Sequence, residues 1–142
     1  MKQARHYLEC ILDEFAEWID AGVPVLMLEP SCASVFRDEL MNFFPNNQRA
    51  ARLSRQTMML SEALAKDSSS LKLAALPGRR IVVHGHCHQK SVMTMTDDIA
   101  LLRSTGAHVE VLDSGCCGMA GPFDFEKTKF TVSQAPNGHS QV

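Results

Sequence analysis

Apolar residues recur at three- and four-residue steps from Ala4 to Ile19, at Ala4, Tyr7, Leu8, Ile11, Phe15, Trp18 and Ile19, and the pattern stops at Ala21-Gly22. That spacing predicts an amphipathic helix with a glycine stop. Pro24-Val25-Leu26-Met27-Leu28-Glu29 is a short continuous apolar run closed by Pro30-Ser31, as in a strand buried on both faces. Helical spacing resumes through Val35, Phe36, Leu40, Phe43 and Phe44 until Pro45. A further helix is expected from about Gln48 to Lys66, with Arg49, Arg52 and Arg55 on one solvated face. Asp67-Ser68-Ser69-Ser70 and the turn Pro77-Gly78 mark a loop or lobe boundary. After it, Arg80 to His84 reads as a strand, Ser91 to Ser104 as one or two helical pieces, and His108 to Asp113 as another strand. Alternating strand and helix predicts an α/β fold: a single domain with a mainly parallel sheet, helices on its faces, and at least three parallel strands near Val25 to Glu29, Arg80 to His84 and Val109 to Asp113. Residues 131–142 offer almost nothing to a core and are expected to form a disordered tail.

Composition narrows the function classes. With 142 residues, 45% of them hydrophobic and 21% charged, the chain suits one globular core and leaves no room for a second catalytic domain. Its apolar runs are too short to cross a membrane, so no transmembrane segment is expected. A net charge of −2, one Trp and one Tyr supply neither the basic field nor the aromatic platform that nucleic acid needs as a partner. The first residues, Met1 to His6, lead into an acidic amphipathic stretch rather than a signal peptide, which suggests a cytoplasmic protein. Five cysteines is an odd count, and Cys116 and Cys117 are adjacent. In a reducing compartment that pattern points to metal binding or thiol chemistry rather than a disulfide scaffold.

The same short pattern closes each expected strand: Glu29-Pro30-Ser31-Cys32, His84-Gly85-His86-Cys87 and Asp113-Ser114-Gly115-Cys116. A polar residue ends the strand and a cysteine follows three positions later. In an open parallel sheet, ligands bind outside the carboxyl ends of the strands, where helices begin with their amides exposed. Cys32, Cys87, Cys116 and Cys117 are therefore expected to converge at one edge, with the helix termini favouring the thiolate form. Cys10, on the flank of the first helical stripe, reads as structural. His84, His86 and His88 flank Cys87 and offer imidazole beside thiolate, so zinc is conceivable, although the usual C-x2-C and H-x3-H pairs are absent. Four thiolates from separate loops are also the normal requirement of an iron–sulfur cluster. Spacing alone leaves cluster and zinc as rivals. A Cys–His nucleophile has no identifiable oxyanion hole to serve it.

Val83-His84-Gly85-His86-Cys87-His88-Gln89-Lys90, Leu112-Asp113-Ser114-Gly115-Cys116-Cys117-Gly118-Met119-Ala120-Gly121 and Leu28-Glu29-Pro30-Ser31-Cys32 together resemble the cysteine-rich CCG domain. That domain is shared by heterodisulfide reductase subunits, the iron–sulfur subunits of glycolate oxidase and anaerobic glycerol-3-phosphate dehydrogenase, and the C-terminal part of FAD-linked 2-hydroxy-acid oxidases, to which the resemblance is nearest. It spans roughly residues 21–125, within an expected CCG-type domain at 1–130 that is incomplete, since no cysteine follows Cys117. The resemblance implies an electron-transfer module in which Cys32, Cys87, Cys116 and Cys117 hold a 4Fe-4S cluster, relaying electrons from a flavin to an acceptor. It implies FAD on a separate domain or subunit, a larger oxidoreductase acting on a 2-hydroxy acid or similar, and a chain that is not catalytic alone. A zinc-binding or metal-free structural or interaction lobe is the alternative. The family's domain has two related halves, and Cys32 falls at the close of the first.

Overall fold

The computed structural model describes residues 1–67, 72–113, 126–129 and 132. The fold is helix-rich and α/β in kind, a single small domain with two small parallel sheets. Its first unit runs α1 (Lys2–Glu14), α2 (Ala16–Asp20), β1 (Val25–Met27), α3 (Pro30–Ser34), a π-helical turn (Val35–Glu39), α4 (Leu40–Phe43), α5 (Gln48–Gln56), β2 (Thr57–Met59) and α6 (Leu60–Lys66). Its second runs β3 (Arg80–Val83), α7 (Cys87–Val92), α8 (Thr96–Ser104) and β4 (His108–Val111). Each unit is thus a strand, a helical crossover and a parallel partner strand. β1 pairs with β2, Val25 opposite Thr57, and β3 pairs with β4, Arg80 opposite His108.

The expected strands are present and each pairs in parallel with a neighbour, but among the described residues they do not form one sheet. Among the described residues β1 bonds to β2 and has no ladder to β3 or β4. The reason lies in the middle of the helix expected from Gln48 to Lys66, which is interrupted. Thr57-Met58-Met59 leaves the helix, and Thr57 turns its hydroxyl back to the Leu53 carbonyl at 2.8 Å. A new helix then starts at Leu60, because the Glu62 carboxylate accepts the Met59 N–H at 2.8 Å. Burial pushes the Glu62 carboxyl up, but hydrogen bonds from Arg37 and Met59 outweigh it and leave the group below its usual range. Arg37 of the π-helical turn meets both carboxylate oxygens at 2.8 Å, which ties that turn to α6.

The first helical stripe is also rotated from its expected face. Phe15 separates α1 from α2, and Leu8, Leu12 and Ile19 are buried while Tyr7, Phe15 and Trp18 remain exposed. The glycine stop is where expected, with Gly22 at φ +78°. The main core gathers Leu8, Leu12, Ile19, Leu40, Phe44, Ala50 and Leu53. A second cluster joins Ala33, Met59 and Met93, with Met27 packed against it, and so draws from both units. Two of the three arginines expected to be merely solvated are pinned: Arg49 and Arg52 reach Asp20 at 3.2 and 2.9 Å. Exposed pairs of this kind contribute about 0–1 kcal/mol each. The expected disordered tail lies outside the described residues apart from Val132.

Candidate functional site

β1 ends at Met27, and two residues later Glu29 takes extended backbone angles and serves as the N-cap of α3, with Pro30 as the first helical residue. Its carboxylate accepts from the Ser31 N–H at 3.0 Å, the Ser31 hydroxyl at 2.5 Å and the Cys32 N–H at 2.7 Å. Those bonds, led by the Ser31 hydroxyl, hold the Glu29 carboxyl down at about 2. Cys32 sits exposed in the first turn that Glu29 closes.

β3 ends at Val83, and after His84-Gly85 the His86 imidazole caps α7, its Nδ1 accepting the His88 N–H at 3.3 Å. Cys87 is the first residue of α7 and is half-buried. Gly85 lets the ends of the Met95 and Lys90 side chains lie close over the backbone, and a Cβ there would oblige them to move aside. α7 continues to Val92, so it starts four residues before the helix expected from Ser91. Gln89 is buried and donates to Asp98 of α8 at 2.7 Å, anchoring α7 from below.

The two capped turns meet. α3 packs on α7. His86 Nε2 lies 3.9 Å from Glu29 Oε1, the His86 and His88 rings are 5.5 Å apart, and His88 Nδ1 is 3.0 Å from the Ser34 hydroxyl. The packing of these two helices, rather than the edge of a shared sheet, brings the Cys32 and Cys87 turns to one place. Ala33, Met59, Met93 and Met27 form the apolar layer between the units there.

One chemical expectation is reversed. A helix start favours thiolate, yet at the start of α3 the Cys32 thiol is pushed up from its ordinary value. Hydrogen bonding to Glu29 is the largest cause, followed by burial and the negative charge of the same carboxylate. The carboxylate that closes the helix N-terminus cancels the field that would have stabilised a sulfur anion. Replacing Glu29 with Gln keeps an acceptor oxygen for one of the two amides and removes the charge. The Cys32 thiol should then fall back toward its ordinary value, and its alkylation rate in cofactor-free protein, followed from neutral to alkaline pH, should rise at lower pH than in the wild type. An unchanged profile would show that Glu29 does not control this thiol. The sign for stability follows from the depressed carboxyl. Its contribution is present above the ordinary value of 4.5 and is lost as pH falls toward about 2. Glu29→Gln should flatten that acid limb, modestly, because the carboxylate is half-exposed.

Cys116 and Cys117 lie outside the described residues, as do Ser114 and Gly115 before them. Among the described residues no three His, Cys, Asp or Glu side chains converge to hold a metal ion. The described donors therefore do not by themselves fit a four-iron cluster. Cys10 Sγ lies 3.8 Å from His6 Nε2 on α1. Two residues of the site are not among those expected from the sequence. Ser34 gives no signal there, its partner being 54 positions away, and of the Glu29 cap the sequence shows only Pro30 at the first helical position, which marks a helix start.

No protein-family model matches the chain, and no solved structure does. Among curated proteins it is similar to a subunit of anaerobic glycerol-3-phosphate dehydrogenase from Escherichia coli K12, 32% identical over 117 residues, covering 80% of this chain and 29% of that protein. The same subunit from Escherichia coli O157:H7 matches equally. D-2-hydroxyglutarate dehydrogenase of Escherichia coli K12 is 26% identical over 107 residues, 74% of this chain and 10% of that protein. The chain thus spans less than a third of the length of the curated relatives it matches.

Proposed function

We propose that this chain is a CCG-type iron–sulfur module, residues 1–130, that relays electrons within a larger FAD-linked dehydrogenase acting on a 2-hydroxy acid or a similar substrate. The observation that carries the reading is the similarity over 80% of the chain to a dehydrogenase subunit, in a sequence where a cysteine follows three positions after each of Glu29, His84 and Asp113. A second relative is named for a 2-hydroxy acid, D-2-hydroxyglutarate. Cys32, Cys87, Cys116 and Cys117 are the proposed ligands of a 4Fe-4S cluster, and the flavin belongs to a partner domain or subunit. When bound, such a cluster supplies one-electron transfer. The chain's own residues do the rest: Glu29 and His86 cap the two helices that present Cys32 and Cys87, and the cluster of Ala33, Met59 and Met93, with Met27 against it, packs the two units together. Among the described residues no helix is long and apolar enough to cross a membrane. The reading places the module in a reducing compartment such as the cytoplasm.

The alternative reading is a zinc-binding or metal-free interaction lobe. Anaerobic purification followed by iron, acid-labile sulfide and zinc analysis separates the readings. Iron with an equal amount of sulfide supports the cluster. Zinc alone supports the zinc lobe, and neither element supports the metal-free one.

A further inference from the structure

We propose that the Ser34–His88 hydrogen bond is a positioning device, which fastens the helix bearing Cys87 to the helix bearing Cys32 and locks His88 as the Nδ1–H tautomer. The proposal rests on the reading that these two cysteines serve one site.

The assignment follows from counting protons. Ser34 is 2% exposed, and its hydroxyl has a single proton to give. That proton has a partner within its own helix, the Ser31 carbonyl at 2.8 Å. The hydroxyl oxygen is left to accept, and the group 3.0 Å away is His88 Nδ1, which must therefore carry hydrogen. In the neutral ring only one nitrogen is protonated, so His88 Nε2 keeps its lone pair. His86 holds the opposite form. Its Nδ1 faces the His88 backbone N–H at 3.3 Å, and a backbone amide can only donate. The His86 proton consequently sits on Nε2, on the side of Glu29 Oε1 at 3.9 Å. Glu29, His86, His88 and Ser34 lie in one row across the contact between α3 and α7, hydrogen-bonded from His86 through His88 to Ser34, with Glu29 at 3.9 Å from His86. Each cysteine lies within a residue or two of a member of that row: Cys32 two before Ser34, and Cys87 between the histidines. Ser34 and His88 make the hydrogen bond that joins α3 to α7, and it is short, part-buried and specific to one ring nitrogen.

The test uses the whole chain without cofactor, so that it stands apart from the iron analysis above. Nitrogen-15 shifts of the neutral His88 ring are expected to report hydrogen on Nδ1 and a bare Nε2. Ser34→Ala removes the acceptor and should move the ring toward the Nε2–H form. Alkylation of half-buried Cys87 by iodoacetamide, mapped by mass spectrometry, should quicken about fivefold in Ser34→Ala and in His88→Ala, the factor expected for loss of one net hydrogen bond. His88→Asn, whose amide nitrogen can donate from nearly the Nδ1 position, should restore the wild-type rate. Hydrogen on Nε2 of His88 in the wild type would overturn the proposal. So would Cys87 labelling unchanged in both alanine variants, or a failure of His88→Asn to recover what His88→Ala loses. If the tautomer and the rescue hold while the protein binds no iron, the latch stands and the cluster reading falls.

Discussion

Anaerobically reconstituted protein is expected to lose its iron when Cys87, Cys116 or Cys117 is changed to serine, and to keep it when Cys10 is. A serine hydroxyl at neutral pH is a far weaker anion than a thiol, and a four-iron cluster ordinarily needs four thiolates. Cys10 makes its sulfur contact with His6 four residues away on the same helix, so its loss should cost only a small packing term, on the order of 1 kcal/mol. Cys32→Ser should fall between these, with partial loss. The Glu29 carboxylate holds that thiol in its protonated form, so Cys32 must be deprotonated against a local charge before it can bind. The measurement is iron and sulfide per chain for each variant beside the wild type. Retention of full iron by Cys116→Ser and Cys117→Ser would end the cluster assignment.

The largest loss of stability is expected from Leu40→Ala. Leu40 is 0% exposed and stands where α4 meets the main core of Leu8, Leu12, Ile19, Phe44, Ala50 and Leu53. Truncating such a side chain removes its transfer free energy and leaves a cavity, about 2–5 kcal/mol together. A domain of this size has about 5–15 kcal/mol in all, so the variant should unfold at a markedly lower urea concentration with an unchanged slope. Leu28, 78% exposed just before α3, is the matched control, and Leu28→Ala should stay within about 0.5 kcal/mol of the wild type. Equal midpoints for the two variants would contradict this arrangement of the core.

Three of the four strands are legible in the sequence because each is a short apolar run bounded by breakers, as at Pro24 and Pro30. β2 is not. Thr57-Met58-Met59 lies between strong helix formers with no glycine or proline on either side, and the break is made by side chains, Thr57 on Leu53 and Glu62 on Met59. Periodicity cannot report that kind of local hydrogen bonding. Nor can it say which stripe of the first helix finds a partner: Tyr7 and Trp18 repeat as regularly as Leu8 and Leu12 and are left exposed. At the site the sequence singles out Cys32, Cys87 and the three histidines, since rare residue types in a repeated offset stand out. The Glu29 cap is obscured because glutamate is not among the usual capping residues, and its electrostatic effect on Cys32 reverses an argument based on the helix terminus alone. Strand pairing is misjudged for a simpler reason, since without β2 the strand β1 has no neighbour to choose except β3 and β4.

The π-helical turn at Val35–Glu39 sits between the cysteine-bearing end of this helical segment and the end that carries Leu40. Such a turn holds one residue more than regular winding requires, and each residue of an α-helix advances the chain by about 100° about its axis. The segment thus absorbs an extra residue while keeping the angular phase of its two ends. Removing one residue from it would give a regular helix and leave Pro30–Ser34 close to its present phase against Leu40–Phe43. Removing two would swing those ends by about 100°, and with the core end fixed Ser34 would lose its aim at His88 and Arg37 its aim at Glu62. The fold should therefore accept most substitutions and one deletion on the exposed side of this turn and reject a second deletion, a sensitivity to counting instead of chemistry.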